Sequence, residues 1–385
     1  MKKGVVCLLL MVLLMSSSYA KEKSIIDTIA ERIEFHGELE AGFKVEAVGH
    51  RSKNNKVHSE IQLTTAGLSI EASVTDWINV AVVPLFEVDE FFIDEGYMTI
   101  GPTENIPFYL TGGLLYHPFG KREEYTHFPD DPFVNFPLTL YFGEIWDPGL
   151  IVGYTQKLPV GSLTLEGFLV YSDVSKCDDE RHADTFGFNV SYNLSNEDYS
   201  FEIGGSYISN VLDASGLKDY FGDPAWDGDL VSEKDVDGIA VYMSGEYKNF
   251  YFTAEYMTVT EPFKNFNSRE ENLDWENEPR LLKDTKNETL HPHVWGFEIG
   301  ANIEEMLGLP KPVEVMFRYE GSLEAQPIYD IPKNRWAIGV NIGLYEYLTW
   351  SVAYAVEDYD PDWETDYEDD RTSRNLFFTQ MAVEF

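Results

Sequence analysis

Apolar and polar residues alternate along most of the chain with a period of two, the pattern of strands with one greasy and one wet face. From residue 34, Phe35, Gly37, Leu39, Ala41, Phe43, Val45 and Ala47 alternate with His36, Glu38, Glu40, Gly42, Lys44 and Glu46. The final eleven residues repeat the pattern: Phe377, Thr379, Met381, Val383 and Phe385 form one series, Phe378, Gln380, Ala382 and Glu384 the other. Between these ends the alternation predicts strands over 59–75, 77–88, 91–101, 105–117, 149–157, 162–172, 184–193, 199–209, 236–247, 250–260, 293–303, 313–322, 335–344 and 348–358.

With the two terminal strands the count is sixteen. A bacterial outer-membrane barrel has an even number of strands, short periplasmic turns and longer outer loops, so the joins after even strands should be tight. They are: Asp76, Pro102-Thr103, Leu158 to Gly161, Ser195 to Glu197, Lys248-Asn249, Glu304 to Pro312 and Tyr345-Glu346. The other joins, including 210–235, 261–292, 323–334 and 359–374, are mostly long and polar. The expected fold is an all-β transmembrane antiparallel barrel of about sixteen strands spanning 34–385, a single unit without a Pro/Ser-rich linker.

The join between the fifth and sixth strands, Pro118 to Pro148, breaks the rule, because it carries the apolar piece Pro137 to Trp146. Two additional strands would fit its length, but one extra strand breaks parity. An apolar loop does not float in water. The expectation is a constriction loop folded into the lumen, with Leu138, Leu140, Phe142 and Trp146 against the inner wall.

Ahead of the strands, Lys2 and Lys3, the apolar run Val5 to Met15 and Ser18-Tyr19-Ala20 read as a cleavable signal peptide over 1–20. The alternative is a short membrane anchor, although the run is too short to span a bilayer. Residues 21–33, with Ile25, Ile26, Ile29 and Ile33 near helical spacing, read as a short periplasmic helix or an unstructured leader. Once the leader with Cys7 is removed, Cys177 is the single remaining cysteine, so no intrachain disulfide is expected.

The net charge of −39 excludes nucleic acid as a partner. It is compatible with an outer membrane, where carboxylates line a wet lumen or reach lipid phosphates through divalent cations. Aromatics at 15% fit interface girdles of Trp, Tyr and Phe.

Candidate chemistry is sparse. Lys121, Arg122, Glu123 and Glu124 follow a Pro-Phe-Gly turn. In an inward loop they would put both signs of charge at the constriction; otherwise they are a solvated run. Glu144 lies in the same loop, and Arg318 and Arg335 alternate against Phe317, Tyr319 and Trp336, so they face the lumen. They form either a basic ladder for an anionic solute or pairs with Glu298, Glu314 and Glu320. The run Glu357 to Asp370 holds many carboxylates but lacks the glycine of a helix-loop-helix calcium site, so it is a hydrated loop or a loose divalent site. His291-Pro292-His293 supplies two imidazoles, too few for a metal site. No metal, cofactor or catalytic residue is expected: the chain has no nucleophile elbow, phosphate loop or His-Glu-x-x-His helix.

Certain segments are similar to a known family. Phe108-Tyr109-Leu110-Thr111, Tyr116-His117-Pro118-Phe119-Gly120 and Pro137 to Glu144 resemble the siderophore porins typified by the legiobactin receptor, the LbtU-like porins. That family shows a Y-x-P-F-G turn followed by a D-P-L-T-L-E-L-G-E-like segment. Tyr207 to Asn210 with Asp213 to Leu217, Glu324-Ala325 with Pro332 to Arg335, and Thr379 to Phe385 match further stretches in order. Phe136 stands where the family tends to be acidic, and Leu114 and Trp146 stand near usual arginines. The resemblance therefore bears on the class more than on the solute. It implies an outer-membrane porin of a Gram-negative bacterium that passes small hydrophilic solutes, a ferric siderophore among them. Diffusion is expected rather than energy-coupled uptake, since the first strand leaves no room for a large plug domain. The expected partners are outer-membrane lipid and lipopolysaccharide, the barrel assembly machinery and the solute, and trimers are usual for the class. The alternative function is a non-conducting surface barrel, an adhesin or binding scaffold acting through loops 210–235 and 261–292.

Overall fold

The computed structural model describes residues 32–385 apart from 52–54, 88–89, 104–105, 122–132, 134–135, 173–181, 197, 216–229, 232–234, 264–266, 269–289, 327–330 and 361–370. The proposed signal peptide, residues 21–31 of the segment that follows it and Cys177 lie outside the described residues.

Sixteen antiparallel strands close into one barrel. They are β1 (Ile33–His50), β2 (Lys56–Thr75), β3 (Ile78–Glu87), β4 (Glu90–Ile100), β5 (Phe108–Tyr116), β6 (Trp146–Lys157), β7 (Ser162–Ser172) and β8 (His182–Ser195). The second half comprises β9 (Tyr199–Ile208), β10 (Gly238–Tyr247), β11 (Phe250–Val259), β12 (His293–Asn302), β13 (Val313–Leu323), β14 (Asn334–Tyr345), β15 (Leu348–Asp358) and β16 (Arg371–Glu384). Each strand predicted from alternation is present. Among the described residues two short α-helices, α1 (Leu138–Gly143) and α2 (Glu304–Leu307), and one 3-10 turn, Val211–Asp213, interrupt the series. A two-residue pair, Leu230–Val231 with Asn267–Ser268, lies outside the barrel sheet and was not expected.

Closure joins the first strand to the last. β1 and β16 pair from Glu38↔Glu384 to His50↔Arg371. The carboxyl-terminal residue completes the ladder, since the Gly37 N–H donates to the Phe385 carbonyl at 2.7 Å and the reverse bond is 2.9 Å. Closure leaves the wall no free edge at this seam. Most even-numbered joins are tight, as parity requires; the longest, after β12, runs over 303–312 and holds α2. Lys248-Asn249 turns β10 into β11 in two residues, and Lys248 takes φ 55°, the left-handed conformation that such hairpins need.

The two faces separate as the pattern predicts. In β16, Phe377, Met381 and the terminal Phe385 are exposed, whereas Phe378, Gln380 and Ala382 are buried. In β14, exposed Trp336 and Ile338 alternate with buried Arg335, Ala337 and Gly339. The exposed apolar series recurs in strand after strand and makes an outward belt suited to lipid.

Three expectations change in detail. Ile33 belongs to β1 and not to the segment before it. The piece after Pro137, expected only as part of a loop, is a short helix. Trp146 does not line the inner wall: it opens β6 in the parity of exposed Leu150 and Val152, its ring lies beside Tyr116 and Phe92, and its indole N–H donates to the Asp94 carbonyl at 2.6 Å. The tertiary setting decides both cases, because an apolar run of this length reads equally as strand or helix.

Candidate pore constriction

The segment between β5 and β6 is tied to the wet face of the wall at two places. The first follows the Pro118-Phe119-Gly120 turn. The Gly120 N–H donates to Ser206 Oγ of β9 at 2.8 Å. The Lys121 N–H donates to Glu255 Oε1 of β11 at 2.7 Å, and Lys121 Nζ donates to Glu202 Oε2 of β9 at 3.0 Å. Gly120 has φ +86°, and a Cβ there would lie 2.2 Å from Met257 Cε and 2.3 Å from Glu255 Oε1. The close approach needs glycine.

The second tie is at the start of α1. Arg335 Nη1 of β14 donates to the Phe136 carbonyl at 2.8 Å, and the Leu138 N–H donates to Glu320 Oε1 of β13 at 2.6 Å. Pro137 stands between these bonds, where its missing N–H costs nothing and its fixed φ opens the helix. The Arg318 guanidinium lies 4.3 Å from the centre of the Phe133 ring. Helix α1 then buries Leu138 and Phe142 in an apolar cluster with Phe119, Ile145, Val211, Leu212 and Met257, and Leu140 is buried as well. Burial of each such side chain is worth roughly 1.5–3 kcal/mol. The same burial pushes the Tyr141 phenol pKa up, so its hydroxyl stays neutral.

Behind the second tie runs a row of charges that alternate in sign across five consecutive strands. Arg335 bridges Glu320 (Nη1 to Oε2, 3.2 Å) and Glu357 (Nε to Oε1, 2.7 Å). Arg374 of β16 bridges Glu357 at 2.5 Å and Glu46 of β1 at 3.6 Å, and Lys44 lies 3.5 Å from Glu46. Glu320↔Arg335, Arg335↔Glu357 and Glu357↔Arg374 are direct cross-strand partners, so the register itself sets the row. Arg318 pairs separately with Glu298 at 2.8 Å. Arg318, Glu320, Arg335 and Glu357 are 3%, 0%, 2% and 0% exposed. Their charges are spent on each other and on the segment, and they offer no open basic ladder.

The opposite wall is less charged. Glu166 of β7 accepts from the Tyr109 hydroxyl and from Asn189 Nδ2, and the Tyr242 hydroxyl donates to Asn189 Oδ1 at 3.0 Å.

A cavity of about 770 Å³ at the short-turn end is lined by Tyr251, Glu298, Lys311, Glu314, Arg318 and Asn341, among others. It shares Thr253, Glu298 and Arg318 with a slit of about 10 Å³ that Pro137 and Thr139 also line.

Of the site residues expected from sequence, Lys121, Arg318 and Arg335 touch the segment or anchor it. Glu144 contributes its backbone: the N–H donates to the Leu140 carbonyl at 2.9 Å and the carbonyl accepts from Ser215 N–H at 2.7 Å. Arg122, Glu123 and Glu124 lie outside the described residues. Glu314 accepts from Asn341 at 3.3 Å. Glu357, read from sequence as the start of an acidic loop, is instead the middle of the charge row in β15. His291 and His293 meet edge to face with ring centres 4.7 Å apart, and His291 Nε2 is held by the Val259 carbonyl. Among the described residues no group of three or more His, Cys, Asp or Glu could hold a metal ion.

Comparison with known proteins agrees with this architecture. The outer-membrane channel DcaP of Acinetobacter baumannii superimposes with a TM-score of 0.54 at 12% identity, covering 92% of this chain and 97% of that one. The fold is that of outer-membrane porins. An anion-selective porin of Comamonas acidovorans matches with a TM-score of 0.53 at 9% identity, over 92% and 99% of the two chains. In sequence, the chain is 23% identical over 330 residues to a UPF0422 protein of Coxiella burnetii, covering 84% of this chain. It spans 63% of that relative's length. No family model matches.

Proposed function

We propose that this chain is an outer-membrane porin that passes small hydrophilic solutes by passive diffusion. The observation that carries the reading is a closed sixteen-stranded barrel with an outward apolar belt and a segment tied across its wet interior. The porin fold of its structural neighbours supports the same reading and an outer-membrane location. The mechanism needs no energy source. Charged and polar side chains of the lumen replace the solute's hydration, and the tied segment sets the size limit. Ferric siderophores belong among the solutes to test, on the strength of the sequence resemblance. Insertion through the barrel assembly machinery, contact with lipopolysaccharide and a trimeric state are parts of the same proposal.

The test is planar-bilayer conductance of purified, folded protein. Step-like currents are the expected outcome. A folded, heat-modifiable barrel that gives none would contradict the reading and favour a surface scaffold acting through its outer loops.

A further inference from the structure

We propose that Glu320 and Arg335 are positioning residues that fix the width of the pore by gripping the backbone at Phe136 and Leu138. The inference rests on the porin reading and deepens it. Three observations carry it. The two side chains are buried, so neither lies open to a passing solute. They contribute one donor and one acceptor to main-chain groups two residues apart: Arg335 gives to the Phe136 carbonyl and Glu320 takes from the Leu138 N–H. Such a pair recognises one chain direction and one register, which general apolar packing does not. Finally, the guanidinium of Arg335 is held between Glu320 and Glu357, and Glu357 is held in turn by Arg374 and by the Tyr359 hydroxyl. The arginine has no room to swing, and the grip inherits the stiffness of the wall. Buried ion pairs are weak sources of net stability, so a role in holding one geometry is the better physical reason for this one.

Two charge-neutral double variants separate positioning from general stabilisation. Glu320→Met with Arg335→Met removes the grip and leaves Glu357 paired with Arg374. Lys44→Met with Glu46→Met removes the far end of the row and leaves the grip and its Glu357–Arg374 brace intact. In planar bilayers the first is expected to raise single-channel conductance at least twofold, whereas the second keeps the wild-type conductance and only lowers the temperature at which the folded gel band is lost. Should the first double fail to fold, Arg335→Lys serves in its place: it keeps the charge, but a single ammonium replaces the Nε that reaches Glu357 and the Nη1 that reaches Glu320 and the Phe136 carbonyl, so conductance should still rise. Wild-type conductance in the grip variants, or an equal rise in both doubles, would overturn the inference and leave the porin reading standing. A silent wild-type protein would overturn both.

Discussion

The wall of β13 to β16 with β1 and the wall of β5 to β11 share one alternation but use their inward positions differently. The first places charges of alternating sign side by side and meets the segment through directed bonds at Phe136 and Leu138. The second meets it mainly through apolar contact, with Phe119, Leu138 and Phe142 packed against Ile208, Met257 and Val211, and adds the polar tie at Gly120 and Lys121. Apolar packing is strong but tolerates sliding. Paired hydrogen bonds to buried charges are expensive to move. One wall therefore holds the segment in, and the other fixes where it stands.

That division can be broken from either side. Arg335→Ala should have the largest effect. It strips the cation from buried Glu320 and from half of Glu357 and bares the Phe136 carbonyl, at a cost of about 3–5 kcal/mol. The urea midpoint of the folded gel band should fall accordingly, and conductance should rise. Leu138→Ala comes next, at about 2–5 kcal/mol for lost packing. Its anchor is the main-chain N–H, which the substitution keeps, so stability should drop while conductance holds; a matching rise in conductance would show that packing, too, sets position. Lys121→Glu should have the smallest effect on the fold. It replaces a pair with Glu202 by repulsion from Glu202 and Glu255. The wild-type lumen, rich in carboxylates, is expected to favour cations at low salt, and the variant should favour them more. A reversal potential in a salt gradient reads the change, and an anion-selective wild type would contradict the charge argument.

The strands were legible because each must present one face to lipid and one to the interior, which imprints the period of two. Their ends were less so. β16 begins at Arg371, four residues earlier than the apolar series suggests, because Arg371 and Arg374 carry charge at the end of a wall strand. Glu357 was hidden by the carboxylates that follow it, yet its inward parity with Ala353 and Ala355, opposite Arg374, is a signal that register could have exposed. Helix α1 was not legible, since Leu-Thr-Leu-Tyr-Phe-Gly favours no helix by itself and is made helical by Pro137 and by the pocket it fills. Ser206, Glu202, Glu255 and Phe133 were missed for a simpler reason: nothing in a linear pattern says which wall a crossing segment will reach.

The central claim is that the segment between β5 and β6 sets the limit on what passes. Replacing residues 121–136 with a short Gly/Ser linker and measuring single-channel conductance tests it most directly. The sixteen strands and their tight turns are untouched, so a heat-modifiable barrel should form and its conductance should rise severalfold. A folded barrel with wild-type conductance would contradict the claim.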